Sequence, residues 1–181
     1  MFGKNRAVFL DRDGVLNKAI IRDGKPYPPA SLNEVVILPG ARFALPILKR
    51  EGFSLVGVTN QPDVARGKQN REVVESINNH LLSQLPILEI FVCYHDNKDN
   101  CDCRKPKPGL LLKAAKKYGF DLAQSYMIGD RSKDIEAGKQ AGCKTIFINY
   151  QYDENPTILE PDYSINDVSK IIDIIIPNRR G

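Results

Sequence analysis

Asp11-Arg12-Asp13-Gly14 follows directly on the apolar run Ala7-Val8-Phe9-Leu10. Two carboxylates one residue apart, delivered by what reads as a buried strand, cannot both remain anionic out of water without a cation or a proton between them. A metal ion resolves that conflict, with one acid as nucleophile and the other as proton carrier. The duller reading is a loop with two solvated aspartates, and this motif alone leaves both open. Three later segments add to it. Thr59-Asn60-Gln61 offers a hydroxyl and two amides to an anion. Arg104-Lys105-Pro106-Lys107-Pro108-Gly109 holds cations near a helix start with two prolines. Gly129-Asp130-Arg131-Ser132-Lys133-Asp134 presents one acid and then a second four residues on. Singly, these read as an N-capping threonine, a solvated basic turn and an acidic N-cap. Together they present an acid pair, a hydroxyl, a lysine and an acid, in that order.

A second constellation is Cys93-Tyr94-His95, then five residues, then Cys101-Asp102-Cys103. Three thiols and one imidazole match a tetrahedral structural zinc set, and the short spacing lets one loop wrap the metal. Closed coordination leaves no place for a catalytic water, so the role expected is scaffolding of the loop that launches Arg104 and Lys105. Free thiols beside a surface histidine remain the alternative, and a Cys101–Cys103 disulfide would close a small, strained ring. Cys143 lies far along the chain and is expected in the core.

The elements that must position these groups follow from the apolar pattern. Short apolar runs at Ala7 to Leu10, Ser54 to Thr59, Ile90 to Tyr94, Ser125 to Ile128 and Thr145 to Asn149 read as strands. Amphipathic segments at Ala41 to Glu51, Arg71 to Leu85, Gly109 to Tyr118 and Ser132 to Ala141 read as helices. A last helix is expected at Asp167 to Ile176. Gly52, Gly119 and Gly142 fall where C-caps belong, and Pro46 predicts a kink or a late start in the first helix. Strands alternating with helices predict an α/β fold, a Rossmann-like three-layer sandwich with a mainly parallel sheet. Ligands in such folds gather at the carboxyl ends of the strands. Between the first strand and the first helix, Lys25-Pro26-Tyr27-Pro28-Pro29 reads as a stiff extended segment, either a wall of the site or a plain surface crossover.

The 181 residues are expected to form one domain, 1–181, with a sizeable core. Hydrophobic and charged fractions of 42% and 27% fit an ordinary globular protein. No apolar run has the length of a membrane span, so no membrane partner is expected. Lys4 and Arg6 interrupt the short stretch before Asp11, which argues against a secretory signal and for the cytoplasm. A formal net charge of +4, scattered along the chain, suits a phosphorylated small substrate better than nucleic acid. A monomer is expected.

The ordered set of motifs resembles the haloacid dehalogenase superfamily of phosphotransferases over nearly the whole chain. By that resemblance Asp11 is the nucleophile that takes the phosphoryl group, and Asp13 is first the acid on the leaving alcohol and then the base on water. Thr59 and Lys105 would hold phosphoryl oxygens. Asp130 would bind Mg²⁺ together with the Asp11 carboxylate and the Asp13 backbone carbonyl, with Asp134 behind the metal or at a helix N-terminus. Elementary electrostatics agrees, because a phosphate dianion repels a carboxylate nucleophile until positive charge is supplied. An aspartate at position 13 favours hydrolysis of the trapped intermediate. The CRKPKPG segment, the loop Cys93/His95/Cys101/Cys103 and the stretch Asn60 to Gly67 are similar to heptose 1,7-bisphosphate 7-phosphatases, with histidinol-phosphate phosphatases as near relatives. That resemblance implies Mg²⁺ and Zn²⁺ as cofactors, a capless core, and Asn60, Arg104 and Arg131 as contacts to a small sugar phosphate. A non-catalytic module that keeps the fold is the alternative from another class.

Overall fold

The computed structural model describes residues 5–153 and 159–177; Lys4 lies outside them. Strand β1, Arg6–Leu10, is followed by a hairpin of β2, Ile20–Arg22, and β3, Lys25–Tyr27. Helix α1 spans Pro39–Arg50, strand β4 Phe53–Asn60, helix α2 Arg71–Gln84 and strand β5 Glu89–Cys93. Then come α3, Gly109–Tyr118, β6, Tyr126–Gly129, α4, Ser132–Ala141, β7, Lys144–Ile148, β8, Tyr163–Ile165, and α5, Ile171–Ile175. The main sheet has the order β5-β4-β1-β6-β7-β8, and every pairing in it is parallel.

Alternation along β1 builds the three layers. Val8 and Leu10 join one apolar cluster with Leu45 and Leu48 of α1, Ile77 and Leu81 of α2 and Ile171 of α5. Ala7 and Phe9 point the other way, into a cluster with Leu110 and Leu111 of α3 and Ala137 of α4. Ala7 through Leu10 are all fully buried, as expected for a strand covered on both faces. Because β1 lies between β4 and β6, the chain leaves it toward one side first and the other later. That is a topological switch point, and it opens a crevice above the carboxyl end of β1.

Several boundaries differ from the sequence expectation. Helix α1 starts at Pro39, two residues before Ala41, because proline suits the first turn, where no N–H bond is needed. It also runs through Pro46 rather than starting late. Burial of Ala44, Leu45, Ile47 and Leu48 around that position outweighs the bond lost to the ring. The stretch expected as one helix from Asp167 to Ile176 is a 3₁₀ turn, Val168–Lys170, leading into the short α5. Strand β8 carried no apolar run; its three residues lie at the sheet edge, exposed or half-buried. The proline-rich segment is not simply extended. Pro26 sits in β3 opposite Ile21, and a two-stranded ribbon tolerates a residue without an N–H.

Candidate active site

Four loops at the carboxyl ends of β1, β4, β5 and β6 surround a cavity of about 350 Å³. Its lining includes Asp11, Asp13, Thr59, Asn60, Arg104, Lys105, Asp130 and Arg131, so all of the predicted catalytic and substrate residues meet there. The hairpin supplies Lys25, Pro26, Tyr27 and Pro28 to the same lining, which decides the earlier alternative in favour of a wall.

At the floor lies a buried cluster of charge. Lys105 Nζ is 2.8 Å from Asp11 Oδ1, 2.6 Å from Asp134 Oδ1 and 2.8 Å from the Val58 carbonyl oxygen. Carboxylate oxygens of Asp11, Asp130 and Asp134 lie within 4.8 Å of one another. Burial, then the neighbouring Asp134 charge, pushes the Asp11 carboxyl up to about 6 against the pull of Lys105. Burial alone would favour a neutral Lys105, but Asp11 and Asp134 outweigh it and hold the ammonium charged above its ordinary range. Asp130 is raised well above the carboxylate range, by burial first and then by Asp11 and Asp134. Both its oxygens are buried without a hydrogen bond of normal geometry, and the nearby Tyr152 hydroxyl pulls in the opposite direction, downward. Three buried acids against one lysine, one of them with orphaned oxygens, fit a hard divalent cation held by Asp11, Asp130 and Asp134. Two glycines permit the crowding. A Cβ on Gly14, whose φ is +92°, would lie 1.9 Å from Asp130 Oδ2, and one on Gly129 would lie 2.2 Å from the Asp134 Cβ.

Of the two readings anticipated for Asp134, the structure shows the one at a helix N-terminus. Its Oδ2 accepts from the Arg131 N–H at 3.1 Å, capping α4, while Oδ1 faces Lys105. The Asp13 side chain is held away from that acid cluster. Its carboxylate accepts from Arg12 Nη2 at 3.0 Å, Asn17 Nδ2 at 3.0 Å and Gln61 Nε2 at 2.9 Å. The same Gln61 nitrogen donates to Thr59 Oγ1 at 2.9 Å, tying the hydroxyl to the acid loop. Asn60 is engaged with the backbone: its Nδ2 donates to the Lys105 carbonyl at 2.9 Å, and its Oδ1 accepts from the Lys105 N–H at 3.1 Å. It therefore clamps the lysine from β4.

Cys93, His95, Cys101 and Cys103 also converge. Their donor atoms are separated by 2.9 Å for Cys93–Cys103, 3.2 Å for His95–Cys103 and 3.5 to 3.6 Å for three other pairs. A tetrahedron with metal–sulfur bonds near 2.3 Å has edges of about 3.8 Å, so the four donors fit zinc with little movement. The Cys101 and Cys103 sulfurs, 3.5 Å apart, are not disulfide-bonded. Against the cost of burial, hydrogen bonds from Cys103 and the Arg104 backbone bring the Cys101 thiol down to about 7. Burial pushes Cys93 up. Cys143 is buried in the core.

The cysteine loop is wired to the cavity. Arg104 donates to Asn97 Oδ1 at 2.7 Å and to the His95 carbonyl at 3.3 Å. Arg66 grips Asp96 with two bonds, at 2.6 and 3.0 Å, and reaches Asp63 at 3.1 Å. Arg131 reaches the Pro26 carbonyl of the hairpin at 3.5 Å. Sequence reasoning did not single out Arg12, Asn17 and Gln61 as the holders of Asp13, nor Lys25, Arg66 and Lys133 as cavity cations. For Lys133 the signal was its place between Asp130 and Asp134. Burial and then the like charge of Arg131 lower its pKa.

Residues 102–171 match the HAD-hydrolase-like family model. A D-glycero-β-D-manno-heptose-1,7-bisphosphate 7-phosphatase of Haemophilus influenzae is 39% identical over 151 residues, 77% of this chain and 79% of that protein. The protein of the same description from Helicobacter pylori is 33% identical over 182 residues, covering 94% and 98%. In structure, the chain resembles the D,D-heptose 1,7-bisphosphate phosphatase of B. bronchiseptica, solved with magnesium and phosphate. The TM-score is 0.81 at 28% identity, over 95% of this chain and 98% of that one. Similarity this strong, sustained over most of both lengths, means that the chain belongs to the haloacid dehalogenase-type hydrolases, in the heptose 1,7-bisphosphate 7-phosphatase family.

Proposed function

We propose that this protein hydrolyses the 7-phosphate of D-glycero-D-manno-heptose 1,7-bisphosphate through an aspartyl phosphate on Asp11, acting as a one-domain cytoplasmic monomer. The observation that carries the reading is the buried Asp11–Lys105 contact of 2.8 Å at the floor of a cavity rimmed by arginines. A carboxylate meant only for stability gains little from such burial. One meant to attack a phosphate dianion needs a fixed cation beside it.

Each residue then has a task. Lys105 and Thr59 hold phosphoryl oxygens, and the Asn60 clamp sets where Lys105 stands. An Asp11 oxygen attacks phosphorus as the P–O bond to the sugar breaks, and the leaving oxygen takes a proton from Asp13. Water then attacks the aspartyl phosphate, Asp13 takes its proton, and the Asp11 carboxylate is restored. Magnesium held by the Asp11 and Asp130 carboxylates and the Asp13 backbone carbonyl, with Asp134 beside them, would supply charge neutralisation to the phosphoryl oxygens. Zinc held by the cysteine–histidine set would supply rigidity to the Arg104–Lys105 segment. Arg104 and Arg131, with planar fork geometry, suit the second phosphate of the substrate.

Phosphate release from heptose 1,7-bisphosphate, as both anomers, and from histidinol phosphate tests the reading, with kcat/KM as the measure. A relative from Photorhabdus laumondii described for the α anomer is 32% identical, so both anomers belong in the assay. Preference for a heptose bisphosphate is expected. Preference for histidinol phosphate overturns the substrate, and no magnesium-dependent release from any monoester overturns the activity.

A further inference from the structure

Arg12 is the largest fully buried side chain among the described residues, and none of the steps above uses it. Its guanidinium is spent entirely within the site's own scaffolding. Nε lies 3.2 Å from each Asp13 oxygen, Nη2 is 3.0 Å from Oδ2, and Nη1 donates to Asn78 Oδ1 of α2 at 3.1 Å. Asn78 is itself buried on an otherwise apolar face of that helix. Burying an arginine and an amide there is unfavourable unless the geometry returns something.

Among the described residues three side chains donate to the Asp13 carboxylate, Arg12, Asn17 and Gln61, and of these Arg12 alone meets both of its oxygens.

We infer that Arg12, braced by Asn78, is a positioning residue that fixes where the Asp13 carboxyl stands against the leaving oxygen. This rests on the reading of Asp13 as the proton carrier. No new bond is made. The proton moves from Asp13 to the sugar oxygen as the P–O bond breaks, and Arg12 sets where Asp13 stands at that moment. Placing Asp13 helps departure only when a proton is transferred, so it matters for an alkoxide leaving group and not for one that departs unaided.

The test compares two substrates in single-turnover rapid quench with the metal-loaded enzyme: heptose 1,7-bisphosphate and p-nitrophenyl phosphate, whose phenolate leaves without a proton. Arg12→Gln is expected to slow sugar release about 10-fold or more and nitrophenolate release less than about threefold, within the range general acids supply. Phosphate binding should change less than about twofold. Arg12→Lys, which keeps the charge but loses the fork, should fall between Arg12→Gln and the unaltered enzyme. Asn78→Ala, a milder change should Arg12 variants fail to fold, is expected to give the same split at a few-fold. Asp13→Asn should give the widest split. Equal slowing of both substrates by Arg12→Gln and by Asn78→Ala, or none, overturns the role of Arg12. Equal slowing by Asp13→Asn would instead refute the assignment of Asp13 on which it stands.

Discussion

Two clusters of converging ligand-type side chains stand about one loop apart, and they are built on opposite principles. The set Cys93, His95, Cys101 and Cys103 comes from the last residue of β5 and the single loop after it, with donors close enough to share one metal. It offers four ligands and no open position, which suits a metal that holds the chain and does nothing else. The set Asp11, Asp130, Asp134 and Lys105 comes from two loops, after β1 and β5, and from the β6–α4 junction, all buried, with more negative than positive charge. Asp130 has two orphaned oxygens, and Asp11 is pushed toward neutrality. A closed, balanced set is a staple; an open, unbalanced one is poised for a further cation and an anionic substrate. Arg104, fixed to Asn97 and the His95 carbonyl, joins the two, so the staple sets where one wall of the reactive site stands.

If that contrast holds, substitutions in the two clusters must separate activity from stability. Asp11→Asn should lower kcat on the order of 10⁴-fold while the protein remains folded, as for removal of other nucleophiles. Thermal unfolding should show no loss, since one of three crowded acids is gone; a large fall in Tm would break the contrast. Lys105→Met should cost about 10³-fold in kcat, comparable to removing a preorganised charge donor. It should also destabilise the apo protein, because Asp11 and Asp134 would lose the buried cation they share. Calorimetry and steady-state rates on one preparation check both halves.

Asn60→Ala sharpens the comparison from the positioning side. If its amide serves chiefly to clamp Lys105, kcat should fall about 10- to 100-fold with little change in KM, as for a misplaced catalytic group. A change mainly in KM would make Asn60 a substrate contact, as the family resemblance implies. In the other cluster, Cys101→Ser or removal of zinc by chelation should lower Tm by about 5–10 °C. The accompanying loss of activity should be recovered when zinc is restored to the unaltered protein. Full activity and an unchanged Tm in metal-stripped protein would mean that the loop needs no staple.

The smallest effect expected is one of pH. Asp11 has a folded pKa of about 6 against an ordinary 3.8, so its charged form opposes folding. Stability from this group is therefore lost as pH rises from about 4 through 6, and regained on acidification. Without divalent cations, Tm should climb by a few degrees between pH 7 and pH 5, measured by differential scanning calorimetry. Magnesium at pH 7 should give the same rise and flatten the slope. Asp96, Glu89, Asp162 and Asp167 are shifted downward and act with the opposite sign, at pH values below that window.

Much of this was readable before any coordinates. Residue type and local spacing specify what short-range forces decide. The apolar run ending in Asp11-Arg12-Asp13-Gly14 marked a buried strand delivering acids. The cysteine loop declared its ligand set, because all four donors come from eleven consecutive residues. What lay beyond sequence reasoning is long-range pairing. Strand β8 has too few residues and too little burial to announce itself, and it exists because β7 presents an unpaired edge. The persistence of α1 through Pro46 was decided by packing against the sheet, which outweighs a local preference. The donors around Asp13 come from positions 12, 17 and 61, and the lysine beside Asp11 from position 105. The sequence by itself determined which side chains could do chemistry and that strands would carry them. Only the tertiary structure decided that Arg12 faces Asp13, that Asn60 grips Lys105 and that three acids crowd within one small volume. Electrostatic and hydrogen-bond energies depend on distance and burial, and those are set when segments far apart in the chain are brought together.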